Sequence, residues 1–250
     1  MKAMILAAGL GTRLRPLTDD RPKALVTVAG RTMLEITLCR LRSFGVSEVI
    51  INTHHFGDLI AEYLEANHNF GMHIEVSREE ELLDTGGGLK HAAHFFLEAG
   101  KDSQEPFILH NVDALSTIDL TRMVEFHNEQ DALATLAVQH RETSRYLLFD
   151  EHGQLCGRRA GREVKDQLAR PAKQLQPLAF SGIHILSPCI FARMEEEGAF
   201  SIVNAYLRLT AQGEKIVAFR ADESYWRDLG RPESVLQAAQ DIESGVYPIY

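Results

Sequence analysis

Six residues at the N-terminus narrow the folds open to this chain. The apolar run Lys2-Ala3-Met4-Ile5-Leu6-Ala7 ends just before Gly9 and leads straight into Gly9-Leu10-Gly11-Thr12-Arg13-Leu14-Arg15-Pro16-Leu17-Thr18. A short, unbroken apolar run bounded by glycine reads as a strand buried on both faces. Such strands belong to sheets covered by helices. The remaining chain keeps to that plan. Helical spacing over residues 31–44 closes at Gly45, and strands are predicted at 48–52 and 73–77 with a helix at 58–66 between them. Further helices are expected at 89–99 (closed by Gly100), 120–127, 202–209 and 232–244, with strands at 107–110, 133–138, 178–186 and 216–219. Alternation of this kind implies βαβ units, an α/β class and a mainly parallel sheet. Residues 146–150 and 154–158 around His152-Gly153 suggest an inserted hairpin, and the polar stretch 159–177 reads as a flexible loop. One domain over 1–250 is the simplest organisation.

The loop that follows the first strand is chemically specific. Two glycines let the backbone approach a bulky anion and turn amide groups toward it. Arg13, Arg15 and Lys23 add positive charge to a chain whose formal net charge is -9. Arginine grips phosphate oxygens in pairs, and lysine acts as a mobile point charge. The loop is not a Walker A loop, because Gly-Lys-Ser/Thr is missing. Nor is it a dinucleotide fingerprint, because Leu14 stands where a third glycine belongs.

Two aspartates follow strands: Asp113 after 107–112, and Asp228 within Trp226-Arg227-Asp228-Leu229-Gly230. Magnesium prefers one or two carboxylates completed by phosphate oxygens and water. The pair suits it if the two strands are neighbours; each aspartate alone also suits a helix cap or turn. Asp84-Thr85-Gly86-Gly87-Gly88 precedes a predicted helix, where an opened N-terminus suits an anion or a base edge, or simply a flexible turn with a threonine cap.

The acidic balance argues against nucleic acid as a partner, which would need a basic surface. No stretch approaches the roughly 18 apolar residues of a membrane span, and Met1 to Ala8 is no signal peptide. Cys39, Cys156 and Cys189 are odd in number and far apart, so a reducing cytoplasm is expected.

Taken in order, these segments resemble the sugar-phosphate nucleotidyltransferase family. Its opening pattern Gly-x-Gly-Thr-Arg-x-x-Pro-Leu-Thr, then Pro-Lys, is matched by Gly9 to Thr18 and Pro22-Lys23. Thr85 to Gly88, Asp113, Phe180-Ser181-Gly182-Ile183 and Trp226-x-Asp228-x-Gly230 resemble the later motifs. The resemblance implies a Rossmann-like three-layer sandwich with a mixed, mainly parallel sheet. It implies magnesium held by Asp113 and Asp228, and catalysis by Arg13 and Lys23. The nucleotide would lie on Ala7, Ala8, Gly9, Gly11, Thr12, Arg13, Lys23, Thr85, Gly86, Gly87 and Asn111, and the sugar against Gly182. The substrates would be a nucleoside triphosphate and a sugar 1-phosphate. The Glu-Lys-Pro motif that many members carry before Gly-Ile is missing; Lys173 stands instead in Arg170-Pro171-Ala172-Lys173-Gln174. Short length and that missing motif are more similar to the N-acetylmuramate 1-phosphate uridylyltransferase branch, with mannose or heptose 1-phosphate guanylyltransferases as alternatives. Base, sugar and oligomeric state stay open at this level.

Other readings compete. A phosphocholine cytidylyltransferase would use Tyr225 and Trp226 as part of a choline cage, although packing is their commoner role. A catalytically silent nucleotide-sugar sensor would have lost the triphosphate and metal groups, which are all present. A metal-dependent glycosyltransferase would want Asp-x-Asp where this chain has Asn111-Val112-Asp113. His91 and His94 share a helical face but have no evident third ligand, so a structural role is expected.

Overall fold

The computed structural model describes residues 1–97, 105–160 and 166–248. The first half of the chain forms β1 (Lys2–Leu6), a small pair β2 (Thr27–Val28) and β3 (Arg31–Thr32), α1 (Met33–Ser43), β4 (Glu48–Thr53), α2 (Gly57–Ala66), β5 (His73–Arg78), α3 (Asp84–His91), α4 (Ala93–Phe96), β6 (Phe107–Asn111) and β7 (Ala114–Ser116). The second half adds α5 (Leu120–Glu129), β8 (Ala134–Gln139), β9 (Arg145–Phe149), β10 (Leu155–Ala160), β11 (Gln167–Leu168), β12 (Gln176–Leu186), α6 (Ile202–Ala211), β13 (Ile216–Arg220), β14 (Trp226–Asp228) and α7 (Pro232–Glu243). Helix starts obey local chemistry. Thr32 caps α1 by accepting from the Glu35 amide at 3.0 Å, and Asp119 caps α5 through the Arg122 amide at 3.0 Å.

Among the described residues ten strands join in one sheet. β6, β1, β4 and β5 run parallel, in that order. β12 turns back antiparallel against β6 and goes on to pair with β8 and β9. The expected hairpin is present as β9–β10, with Gly153 at φ +73° in its turn. Period-2 burial then divides the core into two layers. Ala3 and Ile5 of β1 pack on one face with residues of α1, α2, α5 and α7. Met4 and Leu6 pack on the other with residues of α3, α4 and α6. This is the expected three-layer arrangement of a mixed sheet between helices.

Two local expectations change. The helix predicted at 89–99 begins instead at Asp84, takes the three glycines inside it and breaks at Ala92 before α4; its expected closure at Gly100 lies outside the described residues. The polar stretch 159–177 is partly sheet. Arg159 and Ala160 finish β10, β11 pairs with Gly157 and Arg158, and Gln176 opens β12. A strand at the sheet margin is held by backbone pairing and needs no apolar alternation. Residues 161–165 of that stretch lie outside the described residues.

Three buried histidines lie on or against the sheet. Burial pushes His110 and His127 down to about 4 and His184 to about 3; Arg40 adds to the first and His110 to the last. His127 bridges Thr135 and Ser187 at 2.9 Å each, and His184 meets the Tyr206 hydroxyl at 2.7 Å.

Candidate active site

β1 and β6 are parallel neighbours with Leu6 opposite Asn111, so the loops that leave them emerge side by side. The Val112 amide donates to the Leu6 carbonyl at 3.2 Å and ties the two loop starts together. Ligands gather at this edge of α/β sheets. The Ala7 amide donates to Asn52 at 2.8 Å; Asn52 donates to Glu79 at 2.7 Å, and Glu79 accepts from the Leu83 amide at 3.0 Å. Gly11, at φ +65°, folds the loop onto Lys23: a Cβ there would stand 3.3 Å from the Lys23 Cβ and 3.0 Å from Thr18. The Thr18 hydroxyl closes the turn on the Gly11 carbonyl at 2.9 Å.

Asp113 and Asp228 meet away from the main sheet. β7 and β14 form a separate antiparallel ribbon in which Asp228 stands opposite Ala114. The Leu229 amide donates to the Asp113 carbonyl at 2.9 Å. Lys23 Nζ donates to Asp113 Oδ2 at 2.8 Å, with both side chains largely shielded from solvent. Burial alone would raise the Asp113 carboxyl, but the Lys23 ammonium, a backbone hydrogen bond and the Arg13 charge together hold the acid below its ordinary range. Arg13 reaches Asp228 at 4.0 Å, well exposed, and passes so close to Gly230 that a Cβ there would lie 2.6 Å from its guanidinium. Two cations and two carboxylates thus form a ring at the mouth of the Gly9–Lys23 loop.

A cavity of about 570 Å3 opens beside this ring. Arg13, Asn111, Asp113, Gly182 and Asp228 line it, together with Arg141, Arg145, Arg158 and Arg159 from around the hairpin. A bulge in β12 shapes its floor. Pairing with β8 slips between Phe180 and His184, and Gly182 adopts φ +74°, where a Cβ would press on Asn111 at 2.8 Å. The carbonyls freed there are used: Phe180 accepts from Arg141 at 2.6 Å and Ser181 from the Trp226 indole at 2.7 Å. Arg141 sits over Trp226, its guanidinium carbon 3.5 Å from the ring centroid, and its buried Nε has no partner among the described residues. Lys173 is exposed and does not line the cavity.

Ala7, Ala8, Gly9, Gly11, Thr12 and Lys23 lie on the loop side, outside the cavity lining. Thr85, Gly86 and Gly87 lie in the first turn of α3, the helix start the sequence suggested, but two of the amides there are already taken. The Gly86 and Gly87 amides donate to the Phe200 carbonyl at 2.9 and 3.3 Å, and the Thr85 hydroxyl accepts from the Ile202 amide at 3.0 Å. Side chains on Gly86, Gly87 and Gly88 would meet Phe200, the Gly198 carbonyl and Glu79 within 2.6 Å. Close packing of α3 accounts for all three glycines. His94 pairs with Glu75 at 2.5 Å, and no group of three or more His, Cys, Asp or Glu among the described residues is arranged to hold a metal. Arg141, Arg145 and Arg158 were not singled out from sequence. The available signal was a set of arginines bracketing a predicted hairpin in an acidic chain.

The sequence profile of the nucleotidyl transferase family matches residues 2–245. This chain belongs to that family. An N-acetylmuramate alpha-1-phosphate uridylyltransferase of Caulobacter vibrioides is 35% identical over 247 residues, covering 94% of each chain. A mannose-1-phosphate guanylyltransferase of Mycobacterium tuberculosis is 28% identical over 98% of this chain and 66% of its own length. The structure of HddC from Yersinia pseudotuberculosis with GMP-PN has a TM-score of 0.75 at 25% identity, covering 96% of this chain and 98% of that one. A UDP-glucose pyrophosphorylase with UDP-glucose reaches 0.77 at 18% identity over 98% of both, which shows the shared fold. This nucleotidyltransferase has two adjoining regions at the sheet edge: a loop side that ends in paired charges, and a cavity rich in arginine. Among the described residues, no helix is long and apolar enough to cross a membrane.

Proposed function

We propose that this nucleotidyltransferase joins a nucleoside triphosphate to a sugar 1-phosphate, giving a nucleotide sugar and pyrophosphate. The observation that carries the proposal is the ring of Arg13, Lys23, Asp113 and Asp228 between the phosphate loop and an arginine-lined cavity. An acceptor phosphate oxygen attacks the α-phosphorus, the bond to the bridging β-phosphate oxygen breaks, and pyrophosphate leaves. The acceptor phosphate is already anionic, so no side chain needs to remove a proton. Positioning and charge stabilisation supply the catalysis.

Asp113 and Asp228 suit magnesium: two hard carboxylates from adjoining strands leave the remaining positions to phosphate oxygens and water. When bound, the ion neutralises charge on the phosphates. Arg13 and Lys23 hold triphosphate oxygens as charge develops on the departing pyrophosphate. Ala7, Ala8, Gly9, Gly11, Thr12 and Asn111 border the nucleotide, and Gly182 borders the sugar. Thr85, Gly86 and Gly87 dock the start of α3 on the segment around Gly198, Phe200 and Ile202, beside the nucleotide, and Gly88 makes the room that lets α3 close on the Asn52–Glu79 pair that fixes Ala7. Arg141 takes the part expected of a lysine: anchored on Trp226 and the Phe180 carbonyl, it presents its remaining donors to the acceptor phosphate. Residues 1–250 act as one domain, since both cores pack on one sheet. The unpaired Cys39, Cys156 and Cys189 suit a reducing cytoplasm.

UTP with N-acetylmuramate 1-phosphate is the favoured pair, supported by the relative that matches along nearly its whole length. GTP with mannose or heptose 1-phosphate is the alternative. Phosphocholine is disfavoured, because the Trp226 face that would cradle a quaternary ammonium already holds the Arg141 guanidinium. A matrix of the four triphosphates against sugar 1-phosphates and phosphocholine, read by pyrophosphate release and chromatography of the product, tests the reading. Turnover of no sugar 1-phosphate would sink it.

A further inference from the structure

We infer that the acceptor carries a carboxylate on its sugar as well as the reacting phosphate, and that Arg145 and Arg158 form the subsite that binds it. This rests on the nucleotidyl-transfer reading of the same cavity and adds the class of acceptor.

The argument starts from position. Arg145 stands on β9 opposite Ala160, and Arg158 stands on β10 opposite Leu147. Residues two apart along a strand share a face, so Arg145 and Arg158 are diagonal neighbours on one face of the hairpin, about 7 Å apart at the backbone. Both line the cavity, and Arg141, anchored beside Asp228 on Trp226, lines it too. One arginine is thus available to the reacting phosphate and two more stand further out on the hairpin.

Neutralisation separates these two from their neighbours. Arg159 is spent on Asp166 through two bonds of 2.6 and 2.8 Å. Arg158 is held by neutral acceptors on both sides, Nε on the Gln167 amide oxygen at 2.8 Å and Nη1 on the Asn204 amide oxygen at 2.9 Å. Those bonds fix its direction without cancelling its charge. Its Nη2 donors have no partner among the described residues. Arg145 is exposed and likewise meets no carboxylate there. Two like charges kept together on one short hairpin repel each other, and an anion between them relieves that cost. A planar carboxylate fits the arginine fork in paired hydrogen bonds. A neutral hexose would leave both guanidinium groups without a counter-charge.

The test compares matched acceptors. N-acetylmuramate 1-phosphate against N-acetylglucosamine 1-phosphate differ by an ether-linked carboxylate; glucuronate 1-phosphate against glucose 1-phosphate differ by a carboxylate on the ring. Calorimetric binding is measured with each non-hydrolysable triphosphate analogue and magnesium present, so that it does not depend on turnover. In at least one pair the acid-bearing member should bind tenfold or more tightly, and which pair does so distinguishes the two carboxylate positions. Arg158→Gln and Arg145→Gln should each bring that ratio toward one. Arg145→Gln also guards against misfolding, since no bond of the described residues depends on that side chain. Parity within both pairs, binding of neither member, or a ratio unmoved by both substitutions overturns the subsite. Turnover of neutral sugar 1-phosphates alongside such parity would leave the nucleotidyl-transfer reading standing, whereas absence of all turnover would remove that reading whatever the titrations give.

Discussion

The loop side of this nucleotidyltransferase and its cavity side handle charge in opposite ways. On the loop side each cation faces a carboxylate: Lys23 meets Asp113 at 2.8 Å and Arg13 approaches Asp228 at 4.0 Å. On the cavity side, beyond the ring members that border it and Arg159 with its partner Asp166, Arg141 and Arg158 are held by an indole face, a backbone carbonyl and amide oxygens, and the Arg145 side chain meets no partner among the described residues. A balanced ring can admit a triphosphate together with its counter-cation, because both signs are already provided. An unbalanced cluster is built for a ligand that brings the missing negative charge itself. The same contrast runs through the backbone. The loop side leaves parallel strands buried on both faces, whereas the cavity side is carved into antiparallel strands by a bulge.

Four experiments break or sharpen this contrast. The largest effect belongs to the ring. Asp113→Asn should cut turnover by about a thousandfold with the fold intact, because a charged group at the phosphate site is lost rather than a core contact; near-normal pyrophosphate release with an unchanged unfolding curve would break the metal role. Next, Arg141→Ala should lower kcat/KM for the acceptor by about a hundredfold while leaving the KM of the triphosphate within a few-fold. Arg141→Lys should recover only part of this, because a point charge cannot use both the Trp226 face and the Phe180 carbonyl. An equal loss toward both substrates would erase the boundary between the two sides.

Gly182→Ala comes third. A side chain at φ +74° pressed against Asn111 should cost about 1–3 kcal/mol in a denaturant titration and weaken acceptor binding. The smallest effect is a pH slope. His110, His127 and His184 bind protons less readily folded than unfolded, with values pushed from 6.5 to about 4, 4 and 3. Their contribution to stability is complete above about pH 6.5 and is lost as pH falls toward 4. Urea unfolding across that window should show the decline, and His184→Gln should flatten it. An unchanged slope would mean that His184 keeps its proton affinity on folding.

Legibility from sequence followed distance along the chain. Gly9 to Lys23 could be read because its glycines, arginines and lysine are nearly consecutive, and one turn holds them together. Asp113 and Asp228 could be suspected singly, but their meeting depends on β7 and β14, three residues each, which carry too few positions for any period to show. The glycines 86–88 hid the true start of α3, because what they make room for, Phe200, Gly198 and Glu79, is elsewhere in the chain and three glycines in a row read locally as a turn before the helix. Arg141 was passed over since its anchorage needs a bulge that no local pattern announces. Element order, class and the hairpin were accessible because each rests on short-range periodicity.

The bulge at Ser181-Gly182 also separates what can vary from what cannot. β12 is fixed at its far end by β6, next to the phosphate loop, and at its near end by β9, which carries the hairpin. The register break lies between the stretch of β12 that pairs with β9 and the stretch that pairs with β6, so the hairpin hangs on one side of it and the Gly9–Lys23 loop on the other. Grafting a hairpin with a different charge pattern between residues 145 and 160 asks whether acceptor choice can be exchanged apart from the loop side.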